Sequence, residues 1–354
     1  MAEEIVRQLS SDQLLGIFRE VRRPTQFLSN ALATGVVRSE SDRIEFDFEE
    51  TGEVGLAPFV RPCDEGLATR GTGWNTKWFR PAYVKMKDAI NVCDNTPSWY
   101  AGERPYSRLS INQRFNLHRA QIFSRHNAML EQRHEWMAAK LAADGGYPIS
   151  FQGPSGAVEE VFNIDFGRPA SLNFVPAITW DQPNATPVKD LETWIEMHGD
   201  AAQATPTLAI CGRNVRRNLV AHEDWNDVNK AGNAGRIGSF DLTRPLFEPL
   251  GAARIWGNYA GMQYWSYTGQ YTAADGTRKD YIPPNTIIFV APRSEYPVMT
   301  KFFGAIKDLQ ALRVQEVFQK EWIEEDPSAL QMLTQSAPLL GTLNANQIAK
   351  ATVL

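Results

Sequence analysis

Cysteine is scarce in this sequence. The 354 residues contain only Cys63, Cys93 and Cys211, and no two of them stand at the two-residue spacing of a zinc motif. This distribution fits neither a disulfide framework nor a zinc site, and it is typical of a reducing compartment. Long apolar runs are also missing, since the longest, at residues 287–291, is far too short to cross a bilayer, and the first residues are acidic. We therefore expect neither an export signal nor a membrane anchor.

Histidine is almost as rare, with five in the chain. His118, His126 and His134 recur every eight residues in a predicted helix. Successive rings are thus rotated by roughly 80° and cannot form a one-turn metal pair, so we expect them at surface or flank positions. His198 and His222 stand near acids, but no nucleophile elbow, phosphate-binding loop or cysteine pair accompanies them. The sequence therefore predicts no catalytic site, no metal and no cofactor.

Positive charge is in deficit, because the formal net charge is −5. A dedicated nucleic-acid binder normally carries a basic surface that neutralises phosphates, so this balance argues against that class. The charges are unevenly placed along the chain. Residues 40–53 contain seven acids and one arginine, whereas residues 66–87 contain five basic residues and no acid. The two segments have complementary charge, although the simpler alternative is that both are solvated surfaces.

The region that carries these charges has an unusual composition. Apolar and acidic residues alternate over 43–49, which predicts a strand with one apolar face. Residues 52–73 follow without helical or strand periodicity, and irregular segments of this length are functional or disordered. Four aromatic residues come next, and leaving them in water would be costly. We expect them to pack, with a neighbouring subunit as the natural partner: Trp74, Trp78, Phe79 and Tyr83.

A long helix is predicted at residues 110–143. Ser110 and Gln113 form a capping box at its start, and Asp144 is followed by two glycines at its end. Apolar residues recur every seventh position on one stripe and the other face is polar. A helix of this length reaches roughly 50 Å, which indicates a strut. We favour packing of the stripe on a sheet, and a two-helix coiled coil is the alternative.

The remaining patterns predict a mixed fold. Near the start, Ser10 or Ser11 can cap a short helix whose apolar residues Leu14, Leu15, Ile17 and Phe18 share one face. Further strands are predicted at 161–166, 207–211 and 286–291, helices at 191–202 and 213–222, a proline-rich connection at 169–187, and a hairpin of strands 264–271 and 278–282. Segregated helices and antiparallel pairing are typical of the α+β class.

Several groups of residues together resemble one family. The most specific in the loop region is the segment 79–85, Phe-Arg-Pro-Ala-Tyr-Val-Lys, followed by Lys87. Other matching groups are Phe59, Val60, Pro62, Gly66, Arg70 and Gly71, the hairpin segments 268–271 and 279–286, residues 303–308, and Lys320, Trp322, Asp326, Pro327 and residues 335–339. In this order and spacing they resemble the lambda-type major capsid proteins of tailed bacteriophages.

The resemblance implies an α+β fold of the Hong Kong 97 type. It divides the chain into an N-terminal arm (1–42), an extension loop (43–92), a peripheral domain with a spine helix at about 110–143 (93–186), an axial domain with return strands (187–334) and a C-terminal segment (335–354).

The same resemblance implies a structural subunit of the virion and not an enzyme. Copies would assemble in the host cytoplasm into pentamers and hexamers of an icosahedral head around double-stranded DNA, with a scaffold, a decoration protein and a portal as further partners. The expected inter-subunit contacts in the extension loop are Arg70, Trp74, Lys77, Trp78, Phe79, Arg80, Tyr83 and Lys85. The alternatives are an encapsulin-like compartment shell and a soluble enzyme whose site the sequence does not reveal.

Overall fold

The computed structural model describes residues 26–41, 43–49, 74–91, 111–152, 158–223, 225, 252–273, 276–293, 296–311, 315–326 and 328–354. Several sequence predictions lie outside these residues, among them the helix after Ser10 or Ser11, the irregular segment 52–73 with Arg70, and the capping residue Ser110.

The helices are α1 (Leu28–Ala31), α2 (Ile111–Asp144), α3 (Pro187–Ala202) and α4 (Val215–Ala221). The strands are β1 (Ala33–Arg38), β2 (Ile44–Glu49), β3 (Trp74–Phe79), β4 (Val84–Asn91), β5 (Gly146–Gln152), β6 (Val158–Asp165), β7 (Asn173–Phe174), β8 (Leu208–Cys211), β9 (Ala253–Tyr259), β10 (Met262–Tyr267), β11 (Gln270–Thr272), β12 (Arg278–Asp280), β13 (Thr286–Val290), β14 (Met299–Phe303), β15 (Phe318–Glu324), β16 (Ala329–Ser336), β17 (Pro338–Gly341) and β18 (Ile348–Thr352).

A six-stranded sheet forms the centre of one half of the molecule, in the order β7-β18-β13-β8-β10-β9. Its strand β13 is buried at every position. Ile288 and Val290 belong to one core cluster, while Ile287 and Phe289 belong to a second cluster that also contains residues of α3 and α4. Because both faces of the sheet are covered, this strand reads in sequence as an uninterrupted apolar run.

Helix α2 connects that half to a second sheet. Its C-terminal part, from Met137 to Ala143, is buried in the first core cluster. Nearer its N-terminus, Ile122, Phe123 and Leu130 pack with residues of a three-stranded sheet in the order β15-β16-β4. The predicted helix is confirmed to within one residue at each end. Ile122, Phe123, Leu130 and Met137 of its apolar stripe are buried, as packing on a sheet requires, whereas Met129 of the same stripe is 50% exposed.

The strand predicted at 43–49 is confirmed as β2, and it pairs antiparallel with β3 over six positions, from Ile44 opposite Phe79 to Glu49 opposite Trp74. The pairing lies within one chain, so part of the acidic segment runs beside part of the basic segment. Strand β1 runs parallel to β14, which pairs in turn with β17. These contacts fasten the residues that precede β2 to the rest of the fold.

The predicted polar face of α2 is present, since Gln121, Ser124, Arg125, Gln132 and Arg133 are exposed, but other polar side chains of the helix are buried. Its buried polar side chains are Arg119, His126, Asn127, Glu131, His134 and Glu135. The expectation that the helix histidines stay at the surface or its flank therefore fails for His126 and His134, which are 2% and 7% exposed. A helix enclosed on several sides needs polar residues that meet partners on other elements, and periodicity cannot show those partners.

The predicted hairpin is shorter than expected. The segment 264–271 is not one strand, because β10 ends at Tyr267 and pairs with β8 and β9, and only β11 pairs with β12. Gly269 stands at the break, where an added Cβ would lie 2.4 Å from the Tyr267 hydroxyl oxygen. The tyrosine side chain thus occupies the space that the Cβ of any residue larger than glycine would need at this position. The helix predicted at 191–202 also starts earlier, at Pro187, a favourable first helical residue.

Candidate inter-subunit surface

The hairpin of β2 and β3 presents an aromatic side chain to solvent. Trp78 is 54% exposed, and the guanidinium carbon of Arg43 lies 4.6 Å from the centre of its ring. Strand alternation turns the next residue, Phe79, to the opposite side, where its ring packs 5.4 Å from that of Phe46 and 5.0 Å from that of Phe166. The core thus fixes the base of the hairpin while Trp78 stays accessible.

Tyr83 is half-buried beside β16. Its hydroxyl donates to the side-chain oxygen of Gln335 and accepts from the backbone N–H of Lys307 at 3.2 Å. Burial raises the pKa of the Tyr83 hydroxyl, the Lys307 hydrogen bond opposes this, and Asp308 adds to the rise. The predicted contact residues Phe79 and Tyr83 therefore already have partners within their own chain.

Three of the predicted contact residues are exposed cations on a short stretch of chain: Lys77, Arg80 and Lys85. Lys77 belongs to β3, Arg80 follows it, and Lys85 lies in β4 opposite Gln335 of β16. Trp74 begins β3 opposite Glu49. The structure thus places Trp78 and the three exposed cations in or next to β3 and β4. Lys77 lies on the same side of β3 as Phe79 and not on the side of Trp78, since its Nζ is 3.5 Å from where a Cβ on Gly167 would stand.

Sequence reasoning missed an extension of this basic surface. On the same sheet the ammonium nitrogens of Lys87 and Lys320 lie 5.3 Å and 5.9 Å from the ring centre of Trp322. Lys320 also donates to Asp308 at 2.5 Å. Lys87 and Trp322 are more than two hundred positions apart in the sequence, so only strand pairing brings them together. We call Lys85, Lys87, Lys320 and Trp322 the outer basic face.

The opposite face of this sheet meets α2 through polar contacts. The imidazole Nε2 of His126 donates to Asp88 at 2.9 Å, and Nδ1 accepts from the hydroxyl of Thr334 at 2.8 Å. Arg125 also donates to Asp88. Burial lowers the pKa of His126 despite the nearby Asp88. Burial would raise the pKa of Asp88, but the hydrogen bonds from Arg125 and His126 outweigh it and the pKa falls.

A buried carboxylate fastens the start of the described chain to α2. Glu135 is 0% exposed, and its oxygens accept from the backbone N–H groups of Leu28 and Ser29 at 2.9 Å and 2.8 Å and from the Tyr267 hydroxyl at 2.6 Å. The ring of Phe27 stacks on that of Trp265 at 4.9 Å. Nothing in the local sequence around Glu135 shows this role, since all three of its donors lie more than one hundred residues away.

The described residues offer neither a metal site nor a membrane-spanning helix. There, no group of three or more His, Cys, Asp or Glu side chains is placed to hold a metal ion. Among the described helices, none combines the length and apolar character needed to cross a membrane.

Comparison with known proteins gives a consistent result. The family described as Phage major capsid protein E matches residues 10–353. The major capsid protein of Enterobacteria phage P21 is 27% identical over 303 residues, covering 82% of this chain and 83% of the relative. That of Escherichia phage lambda is 24% identical over 311 residues with the same coverage.

Solved structures agree on the fold. A crystal structure of a candidate capsid protein from a prophage of Escherichia coli CFT073 has a TM-score of 0.71 at 19% identity and covers 99% of this chain and 100% of that one. The mature capsid of bacteriophage PhiM1 has a TM-score of 0.51 at 11% identity, with 92% and 86% covered. The fold is thus the α+β capsid fold of the Hong Kong 97 type. Because the family match spans nearly the whole sequence, this chain belongs to the phage major capsid protein E family.

Proposed function

We propose that this chain, as the major capsid protein of a tailed phage, assembles into the pentamers and hexamers of an icosahedral head that encloses double-stranded DNA. Its role is structural and not catalytic. The relatives it matches are capsid proteins, and the described residues hold no constellation of metal ligands. The observation that carries the assembly proposal is the exposed Trp78 under the Arg43 guanidinium, followed along the chain by exposed Arg80 and Lys85.

A solvent-exposed tryptophan stacked with an arginine is the composition of an interaction hot spot. Trp78 remains in water in the single subunit although the adjacent Phe79 is packed in the core. The hairpin base is fixed by the contacts of Phe46, so Trp78 is held in place before a partner arrives. Such preorganisation lowers the entropy cost of association. We therefore infer that the hairpin contacts a second copy of the chain.

Charge identifies the opposing surface. Arg80 and Lys85 are exposed cations that follow β3 along the chain. Glu40 and Glu45 are exposed acids that can meet them from another copy. Complementary exposed charges of this kind set register and association rate, and added salt screens them. We expect assembly to slow as the salt concentration rises.

The test is a double charge reversal, Arg80→Glu with Lys85→Glu. Both side chains are exposed, so the free energy of unfolding should change by less than about 0.5 kcal/mol per site. We expect the variant to remain a folded subunit and to form no shells by light scattering and negative-stain electron microscopy. The matched control is Lys189→Glu with Arg216→Glu, which makes the same change of charge at exposed positions on α3 and α4.

A compensating variant separates a contact between copies from a general charge effect. Adding Glu40→Lys and Glu45→Lys to the double reversal restores opposite signs across the proposed contact. Shell formation should return at least in part. Normal shells from the double reversal alone, or failure of the Lys189 and Arg216 control, would contradict the proposal.

The domain divisions belong to the same proposal. We assign residues 1–42 to an N-terminal arm, 43–92 to an extension loop, 93–186 to a peripheral domain, 187–334 to an axial domain and 335–354 to a C-terminal segment. Arg70, Trp74 and Lys77 then belong to the extension loop with Trp78 and Phe79.

A shell of this kind needs further partners. We propose a scaffold during assembly, a decoration protein on the outer surface, and a portal at one vertex. The packaged DNA would touch the shell without sequence preference, since the chain carries a net charge of −5. Co-purification of shells with each candidate partner, at low and high salt, would test these contacts.

A further inference from the structure

Four arginines lie where α4 meets the hairpin of β11 and β12. Arg213 precedes α4, Arg216 and Arg217 lie in its first turn, and Arg278 begins β12. All four side chains are exposed. The guanidinium of Arg213 donates to Asp280 of β12 at 2.8 Å, so this ion pair joins the start of α4 to the hairpin. We call these four residues the arginine cluster.

Backbone contacts hold the two elements of the arginine cluster together. The amide of Asn214 donates to the carbonyl of Pro284 at 3.0 Å, and its side chain donates to that of Asn285 at 2.9 Å. The chain runs so close here that a Cβ added to Gly212 would stand 2.3 Å from the carbonyl oxygen of Pro283. Because these residues come shortly after β12, the start of α4 and the end of the hairpin are fixed to each other.

The arginines lie on exposed sides of both elements. On α4, Val215 and Leu219 are fully buried, so the arginines between them lie on the opposite, exposed face. In β12, strand alternation places Arg278 on the same side as Asp280, the residue that Arg213 contacts. Arg278 therefore lies on the side of the hairpin that meets the start of α4.

Few acids offset the charge of the arginine cluster. The elements that carry it contain four arginines, one lysine and a single acid, within residues 212–221, 270–272 and 278–286. That acid, Asp280, already accepts from Arg213 and from the side chain of Gln270 at 2.9 Å. The turn of the hairpin adds Asp275, which lies outside the described residues. Since the whole chain carries a net charge of −5, the cluster is a local reversal of sign.

We propose that the arginine cluster binds phosphate groups of double-stranded DNA. Guanidinium groups bind phosphate through two parallel hydrogen bonds, and each such contact releases counterions from the DNA. A protein partner would normally find an exposed aromatic anchor. The aromatic residues of these elements are instead packed together at 5.2 Å, with Tyr281 buried and Tyr271 half-buried. The inference rests on the proposed function, because the head is what brings DNA next to the shell.

The test measures the binding of a fluorescent DNA duplex to the full-length subunit by anisotropy, over a range of salt concentrations. Arg216→Gln with Arg217→Gln removes two proposed contacts. Each phosphate contact contributes about 0.9 to the slope of log Kd against log salt, so this variant should lower the slope by about 2 and weaken binding at low salt by about tenfold. The control Lys189→Gln with Arg254→Gln removes the same charge at exposed positions on α3 and β9, and should leave both nearly unchanged.

A third substitution tests whether the hairpin belongs to the same surface. Adding Arg278→Gln to the first variant should lower the slope by about one more. The proposal is overturned if the wild-type subunit does not bind the duplex at about 100 μM in low salt, or if the control weakens binding as much as the first variant. Competition by polyglutamate as effective as that by unlabelled DNA of equal charge also overturns it, because that result assigns the surface to an acidic protein.

Light scattering on the same variants separates the arginine cluster from shell assembly. Shells formed without DNA should be normal in the triple variant, and also after a charge reversal at Arg216. Unchanged DNA binding by the triple variant, together with normal shells, would overturn this inference and leave the proposed assembly intact. Wild-type subunits that bind DNA but form no shells would overturn the assembly and not the phosphate-binding surface.

Discussion

Replacing Glu135 should strongly destabilise the subunit, because this one carboxylate holds together three parts of the chain. It accepts hydrogen bonds from the backbone of Leu28 and Ser29 and from the hydroxyl of Tyr267, at 2.6 to 2.9 Å. Its side chain is fully buried. Burial and the adjacent Glu135 also raise the pKa of Tyr267, so that hydroxyl keeps its proton and remains a donor.

The size of the effect follows from the donors left behind. Each buried donor without an acceptor costs about 1–3 kcal/mol, and Glu135→Ala leaves three such donors without their acceptor. Two effects offset part of these penalties: water can enter the vacated space, and the variant no longer has to bury a charged carboxylate. We expect the free energy of unfolding to fall by about 3–5 kcal/mol. Glu135→Gln keeps one acceptor oxygen but points an amide N–H₂ at a donor, and should cost about 1.5–3 kcal/mol.

The measurement is urea unfolding of the unassembled subunit, together with hydrogen exchange at the amides of Leu28 and Ser29. Exchange identifies local release of α1 even where the global transition is not two-state. The matched control is Glu196→Gln on the exposed side of α3, which should change the free energy by less than about 0.5 kcal/mol. The reasoning is refuted if the free energy of unfolding of Glu135→Ala lies within about 0.5 kcal/mol of the wild-type value, which is the usual effect of a surface substitution, and if the amides of Leu28 and Ser29 stay protected from exchange.

Three further predictions follow from single contacts. Burial lowers the pKa of His198 from 6.5 to about 4, so the unfolded chain takes up a proton on this residue more readily than the folded one. The free energy of unfolding should therefore fall by about 3 kcal/mol as the pH drops from 6.5 to 4. The urea midpoint of His198→Phe should depend less on pH over the same range. Phe46→Ala removes a 1% exposed ring that lies 4.7 Å from that of Phe302, and calorimetry should show a loss of about 3–5 kcal/mol. Gly212→Ala would place a Cβ 2.3 Å from the carbonyl oxygen of Pro283, and urea unfolding should show a cost of about 1–3 kcal/mol.

Local patterns in the sequence predicted local structure well. The long helix and the strand at 43–49 each depend on the period of neighbouring apolar residues, and both agree with α2 and β2. The hairpin prediction failed because β10 pairs with β8 and β9, which leaves only β11 to pair with β12. Periodicity therefore identifies elements but not the pairing of strands such as β10 with β8.

The candidate surface was predicted only in part, for the same physical reason. Lys77, Trp78, Arg80 and Lys85 lie close together in the sequence, and the structure shows all four exposed. The outer basic face could not be predicted, since Lys87 meets Trp322 only through the pairing of β4 and β15 with β16. Contacts between residues distant in sequence require the topology, which no local pattern contains.

The chemistry of α2 changes along its length. Towards the C-terminus, buried small residues such as Ala138 and Ala142 let the backbone approach the core closely. Towards the N-terminus, contacts with the three-stranded sheet combine the apolar residues Ile122, Phe123 and Leu130 with charged pairs, including the buried pair of Arg119 and Glu321 at 3.5 Å. Apolar contacts scale with the area they bury, whereas buried ion pairs depend on keeping both partners in place. A shift of the sheet along the helix would therefore have to break the polar pairs as well as slide the apolar cluster, while the small-residue end holds the helix fixed to the core.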